Sequence, residues 1–134
     1  GLFYIYYPDP DFGIYMITAK DARGPWSSPI LVDRGKGLED PCPLWDDDGQ
    51  VYLVHALVGS RAGLKSVIIM KKMNADGTKV IDAGRIVYDG HVTDPTIEGP
   101  KIYKKDGYYY ILAPAGGVST GWQLVLLSRN IYGP

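Results

Sequence analysis

Two carboxylic acids, Asp40 and Glu98, head two copies of one sequence pattern. The first copy reads Asp40-Pro41-Cys42-Pro43-Leu44-Trp45-Asp46-Asp47-Asp48-Gly49. The second, 58 residues later, reads Glu98-Gly99-Pro100-Lys101-Ile102-Tyr103-Lys104-Lys105-Asp106-Gly107. The register runs on without a gap, so that Gly59 corresponds to Gly117 and Gly63 to Gly121. Acids at equivalent points of a structural repeat can be brought together by the symmetry of the fold. A pair of carboxyl groups is the working equipment of glycoside hydrolysis, in which one of them protonates the leaving oxygen.

The elements that must position these acids read as strands. The runs are Leu2–Tyr7, Phe12–Ala19, Ile30–Val32, Pro43–Trp45, Val51–Val58, Leu64–Met73 and Arg85–Tyr88. Lys101–Lys104, Tyr108–Ala113 and Trp122–Ser128 follow in the second copy. They are rich in aromatic and β-branched residues and are punctuated by Gly and Pro, whereas helical periodicity is absent. Asp48-Gly49 and Asp106-Gly107 carry the turn chemistry of tight hairpins. A repeat of about four short antiparallel strands over 40–60 residues is the pattern of a propeller blade. The expectation is therefore an all-β chain forming part of a β-propeller. About 1–33 is the end of one blade, 40–90 a full blade and 98–134 the start of the next. A closed propeller has at least four blades, so the chain reads as a fragment.

In such a fold the first strand of each blade lines the central axis. Asp40 and Glu98, each just before that strand, are expected on one face at the axis. The Asp-Gly hairpins then lie on the opposite face. The next reversals, Gly59–Gly63 and Gly117–Gly121, return to the carboxylate face and bring Arg61, Thr120 and Trp122 there as candidate substrate contacts. For Arg61 the alternative is an ordinary surface salt bridge. The loop Pro8–Asp11 of the first, partial blade is expected on the same face. Trp45 matches Tyr103 in the repeat, which favours packing. Asp46, Asp47 and Asp48 read as solvated turn residues, Asp94 as a structural loop acid and His55 as a core histidine.

Composition narrows the function classes. The chain has 134 residues, 46% of them hydrophobic, and a net charge of −1. That is enough apolar content for a core and leaves no basic footprint for nucleic acid. No apolar run approaches the roughly 18 residues that a membrane helix needs. Cys42 is the single cysteine, so no internal disulfide forms. No His/Cys/Asp cluster has metal-ligand spacing, no Gly-rich phosphate loop follows a strand, and no nucleophile elbow appears.

The segments Glu39-Asp40-Pro41-Cys42-Pro43-Leu44-Trp45-Asp46-Asp47-Asp48-Gly49, Ile97-Glu98-Gly99-Pro100-Lys101, Tyr108-Tyr109-Tyr110 and Arg23-Gly24-Pro25-Trp26 closely resemble glycoside hydrolase family 43. The resemblance extends over essentially the whole chain. It implies a five-bladed β-propeller acting on xylan- or arabinan-type oligosaccharides, as a β-xylosidase or α-L-arabinofuranosidase that inverts the anomeric centre. The family uses three acids, and the resemblance casts Glu98 as the general acid and Asp40 as the residue that tunes its pKa. The third, an Asp general base, is expected before Gly1, so the fragment is expected to be inactive alone and to need the remaining blades. Asp9 and Asp11 lie in a loop between later strands and are not nominated. The family's cation, where present, takes its His ligand from a later blade, so no metal site and no cofactor are expected in this chain. Two other readings stand beside this one. The chain could belong to a non-catalytic sugar-binding propeller, or it could be a repeat scaffold whose acids merely cap turns.

Overall fold

The computed structural model describes residues 1–134. Its strands form three separate antiparallel sheets in chain order. The first contains β1 (Phe3–Asp9), β2 (Gly13–Ala19) and β3 (Ile30–Arg34). The second contains β4 (Leu38–Trp45), β5 (Val51–Leu57), β6 (Val67–Met73) and β7 (Arg85–Asp89). The third contains β8 (Lys101–Lys105), β9 (Tyr108–Ala115) and β10 (Trp122–Ser128). Each sheet is a meander, with every strand paired to the next one in sequence.

The middle sheet is the core of the molecule because both of its faces are covered. Along β5, Val51 and Leu53 pack with Ile14, Met16 and Val32 of the first sheet. The alternate residues Tyr52, Val54 and Ala56 pack with Ile102, Ile111 and Ala113 of the third. Side chains alternate across a strand, so a strand buried on both faces reads as an unbroken apolar run. His55 lies in that run, fully buried, with its Nδ1 2.9 Å from the Ala56 carbonyl oxygen. Burial lowers its pKa to about 4, so this histidine is neutral over the ordinary pH range.

β1 and β4 extend past the runs read from the sequence. β1 continues through Pro8 to Asp9, and β4 starts at Leu38, placing Asp40 inside a strand instead of before one. Both are the outer strands of their sheets, where a proline costs no ladder hydrogen bond. The β4–β5 register shifts between Glu39 and Cys42, and Asp40 there has a φ of 52°. This bulge is what hides the start of the strand. The reversal after β5 is a single helical turn, α1 (Gly59–Ala62), ended by Gly63 in the left-handed conformation.

Hairpin chemistry also divides the two repeats. Asp106 and Gly107 both have positive φ and join β8 to β9 as a two-residue turn, with Lys105 opposite Tyr108. In the first copy a wider loop, Asp46–Gln50, separates the Trp45–Val51 pair, and of the Asp48-Gly49 dipeptide only Gly49 has positive φ. Trp45 itself packs on Tyr4, with ring centroids 5.1 Å apart, and on Tyr6 at 6.4 Å. It joins the first sheet to the second.

The tightest backbone approach is at Gly13, where φ is 144° and a Cβ atom would stand 2.0 Å from the Asp33 carbonyl oxygen. That oxygen belongs to β3 and cannot move without breaking the sheet. Gly13→Ala is therefore expected to cost at least about 3 kcal/mol, at the severe end for a point mutation. A denaturant-midpoint measurement would detect it.

Candidate active site

Asp40 reaches the segment that carries Glu98 where the second sheet adjoins the third. Asp40 adopts a left-handed conformation, which Asp tolerates better than most residues. From there its Oδ2 accepts a hydrogen bond from the backbone N–H of Gly99, at 2.9 Å. Gly99 is the residue after Glu98, so Asp40 fixes the backbone that carries the second acid. From the other side, the Glu98 N–H donates to the Pro114 carbonyl oxygen at 3.0 Å. The segment between Thr96 and Gly99 is sharply bent, with φ of 61° and 60° at those two residues. The Thr96 N–H donates to Ser66 Oγ at 2.9 Å, which anchors the bend to the second sheet.

Glu98 is half-buried and lines two adjoining cavities. One, of about 160 Å³, is walled by Thr96, Pro114, Ala115, Gly117, Val118 and Gly121. The other, of about 150 Å³, is walled by Glu39, Leu57, Val58, Gly59, Lys65, Ser66, Thr96 and Ile97. The reversals after β5 and after β9 thus both approach Glu98, through Gly59 on one side and Gly117 to Gly121 on the other. Glu39 is a member of this site that spacing arguments overlooked. Its pKa is raised to about 7, first by burial and then by the neighbouring charges of Asp40 and Glu98. The signal available in the sequence was its place beside Asp40, in a strand whose beginning the bulge concealed.

The remaining nominated residues stand around these cavities and do not line them. Arg61, on α1, places Nε 2.8 Å from Asp11 Oδ1, and both side chains are exposed. This ion pair also brings the β1–β2 turn against α1. The Thr120 hydroxyl lies 3.4 Å from the Gly116 carbonyl oxygen. Trp122 donates its indole N–H to Asp94 Oδ1 at 2.9 Å and keeps 44% of its surface exposed. Its ring lies over Gly116, where a Cβ would come within 2.3 Å of it. Asp94 is buried and also accepts hydrogen bonds from Tyr88 and from Thr93, the latter at 2.8 Å. These hydrogen bonds, that from Tyr88 foremost and then those from Trp122 and Thr93, hold its pKa below the usual carboxylate value. The loop acid is structural, as its position before Pro95 suggests, and what it organises is the tryptophan.

At the opposite end of β4 the expectation for Asp46 fails. It is buried, and it accepts hydrogen bonds from Lys104 of β8 and from the Tyr109 hydroxyl of β9, the latter at 2.5 Å. Lys104 also pairs with the exposed Asp47 at 3.0 Å. A turn acid becomes a cross-sheet anchor because its partners lie in the next repeat, out of reach of any local sequence pattern.

The sequence model of Glycosyl hydrolases family 43 matches residues 1–134. A putative beta-xylosidase of Xylanibacter ruminicola is 48% identical over 134 residues, which is 100% of this chain and 24% of that protein. A xylosidase/arabinosidase 43B of Humicola insolens is 35% identical over 126 residues, 90% of this chain and 22% of that protein. Among solved structures, a xylan beta-1,4-xylosidase from Bacillus halodurans C-125 superposes with a TM-score of 0.82 at 32% identity. That match covers 100% of this chain and 27% of the other. The chain therefore spans about a quarter of the length of the relatives it matches. The three meandering sheets are blades of that propeller fold.

Proposed function

Because the chain belongs to the glycosyl hydrolases of family 43, we propose that it supplies part of the catalytic domain of a pentosidase. In this reading Glu98 is the general acid, and Asp40 orients and tunes it. The substrates are xylo- or arabino-oligosaccharides, in keeping with the beta-xylosidase and xylosidase/arabinosidase names of its relatives. The observation that carries the assignment is the hydrogen bond from the Gly99 amide to Asp40. It ties one acid of the repeat to the backbone of the other, beside cavities into which a sugar oxygen can enter.

The chemistry follows from the positions of the charges. Glu98 must hold a proton to deliver it to the leaving oxygen as the glycosidic bond breaks. A neighbouring carboxylate disfavours its ionisation and so favours that protonated state. A water molecule attacks the anomeric carbon from the opposite side of the sugar ring. A carboxylate from outside residues 1–134 takes the water's proton, standing roughly 6.5–9.5 Å from the acid so that the water fits between them. Trp122 is the aromatic contact for the sugar, held edge-on by Asp94, and Thr120 and Arg61 supply polar contacts at the rim. Further blades of the same protein cover the outer faces of this chain. Phe3 and Ile5 of β1 and Val125 and Leu127 of β10 expose apolar rows there, of the kind that marks a contact surface.

The stereochemical outcome tests the mechanism. The full-length reading frame containing these residues, given a β-xyloside, is expected to release α-xylose first, as followed by proton NMR before mutarotation. Release of β-xylose first would overturn the inverting mechanism. Hydrolysis by residues 1–134 alone would overturn the placing of the base outside them.

A further inference from the structure

Few carboxyl groups of the chain are left without a partner, and two of them border one cavity. Every aspartate except Asp106, at an exposed hairpin turn, accepts a hydrogen bond or joins an ion pair. Glu39 and Glu98 are the two glutamates. Their side chains take part in no hydrogen bond and no ion pair, although both are half-buried and both line the cavity of about 150 Å³. The Glu39 backbone is fixed, because it pairs opposite Ala56 just before the bulge in β4. Only its carboxyl group is unengaged, among the apolar walls of Leu57, Val58 and Ile97. Burial and then the charges of Asp40 and Glu98 raise its pKa to about 7, and no hydrogen bond offsets them. Lys65 is the one cation on this wall, and its ammonium group is likewise without an acidic partner.

We propose that Glu39 is a substrate-binding residue, which hydrogen-bonds a ring hydroxyl of the pentosyl unit whose glycosidic bond is cleaved. This rests on the reading of Glu98 as proton donor, because the shared cavity places that sugar beside Glu98. A half-buried carboxyl group without a partner is costly to the fold. A few convergent polar groups in an otherwise apolar pocket are what orients a bound ligand. The state of the carboxyl group does not matter to this role. Ionised, it accepts from hydroxyls; protonated, it donates to one oxygen and still accepts from another. Lys65 adds donors on the same wall. The cavity on the other side of Glu98 offers less to a hydroxyl, being walled by Pro114, Ala115, Val118 and two glycines, with Thr96 common to both. A ring recognised through its hydroxyls therefore belongs on the Glu39 side.

The test combines variants of the full-length reading frame with aryl β-xylosides that each lack one ring hydroxyl. On the intact xyloside, Glu39→Ala is expected to lower kcat/KM about tenfold, as for the loss of one hydrogen bond to the substrate. On the analogue that lacks the bonded hydroxyl, the same substitution should change kcat/KM hardly at all, because the interaction is already gone. Glu39→Leu, apolar like the wall around it, is read in the same way and stands in if the Ala variant folds poorly. A merely structural role would lower kcat/KM alike on every substrate. Equal losses on the intact sugar and on all of the analogues, or no loss on any, overturn the inference. If Glu98→Gln is nevertheless impaired on xylobiose, the role of Glu39 falls alone. Full activity in Glu98→Gln would overturn the reading beneath it.

Discussion

Glu98→Gln, in the full-length reading frame that contains this chain, is expected to reduce kcat on an unactivated xyloside by about 10²–10⁴-fold, the usual worth of one positioned acid. The amide is nearly isosteric, so the Asp40–Gly99 hydrogen bond and the cavity shape should persist, and KM should change far less than kcat. An aryl glycoside with a good leaving group needs little protonation and should lose much less activity. Equal losses on both substrates would point to a structural fault, and unchanged turnover of both would remove Glu98 from the chemistry.

The second large effect is on stability. Asp46→Ala removes a buried carboxylate held by Lys104, Tyr109 and the Asp47 backbone N–H. Breaking a fully buried ion pair costs about 3–5 kcal/mol. Lys104 is partly exposed and keeps Asp47 as a partner, so about 2–3 kcal/mol is expected here. The same network gives a pH signature. Burial would raise the pKa of Asp46, but the hydrogen bonds from Lys104 and Tyr109 more than offset this and leave it lowered. Its contribution is therefore complete above the unfolded-state value near pH 4 and fades as the pH falls below that toward the folded value. Denaturation midpoints of the wild type and Asp46→Ala should differ at pH 7 and converge in strong acid. A difference that persists unchanged at low pH would mean that the carboxylate charge is not what stabilises the junction.

The legible part of the sequence was its local chemistry. Alternating aromatic runs mark the strands, Asp106-Gly107 marks a two-residue hairpin, and the repeat of 58 residues reveals that one sheet follows another. The pattern also singled out Asp40 and Glu98, and Asp40 bonds the backbone beside Glu98. What escaped was whatever depends on contacts across a repeat or on unusual backbone. Pro41, Pro43 and the left-handed Asp40 disguised the first half of β4, and Glu39 went unnoticed with it. α1 read only as a reversal, because one helical turn is too short to show a period. Asp46 looked solvated because the three acids of its loop are adjacent in sequence, whereas Lys104 and Tyr109 are neighbours only in space. Asp94 read as a structural acid, but its hold on Trp122 runs from a loop to the first residue of β10, 28 residues away.

The Asp46–Lys104 contact joins residues that occupy the same position in successive repeats, 58 residues apart. A duplication that copied the repeat faithfully would have set aspartate beside aspartate at this junction, or lysine beside lysine. Neighbouring units must therefore have diverged at this position before they could pack well. The divergence also gives the series a direction, since an acid on one unit calls for a base on the unit that follows. Arrays assembled from a single averaged repeat would lack that polarity, and shuffled units would meet the wrong charge. A buried acid at a hairpin thus acts as an address, specifying which unit comes next.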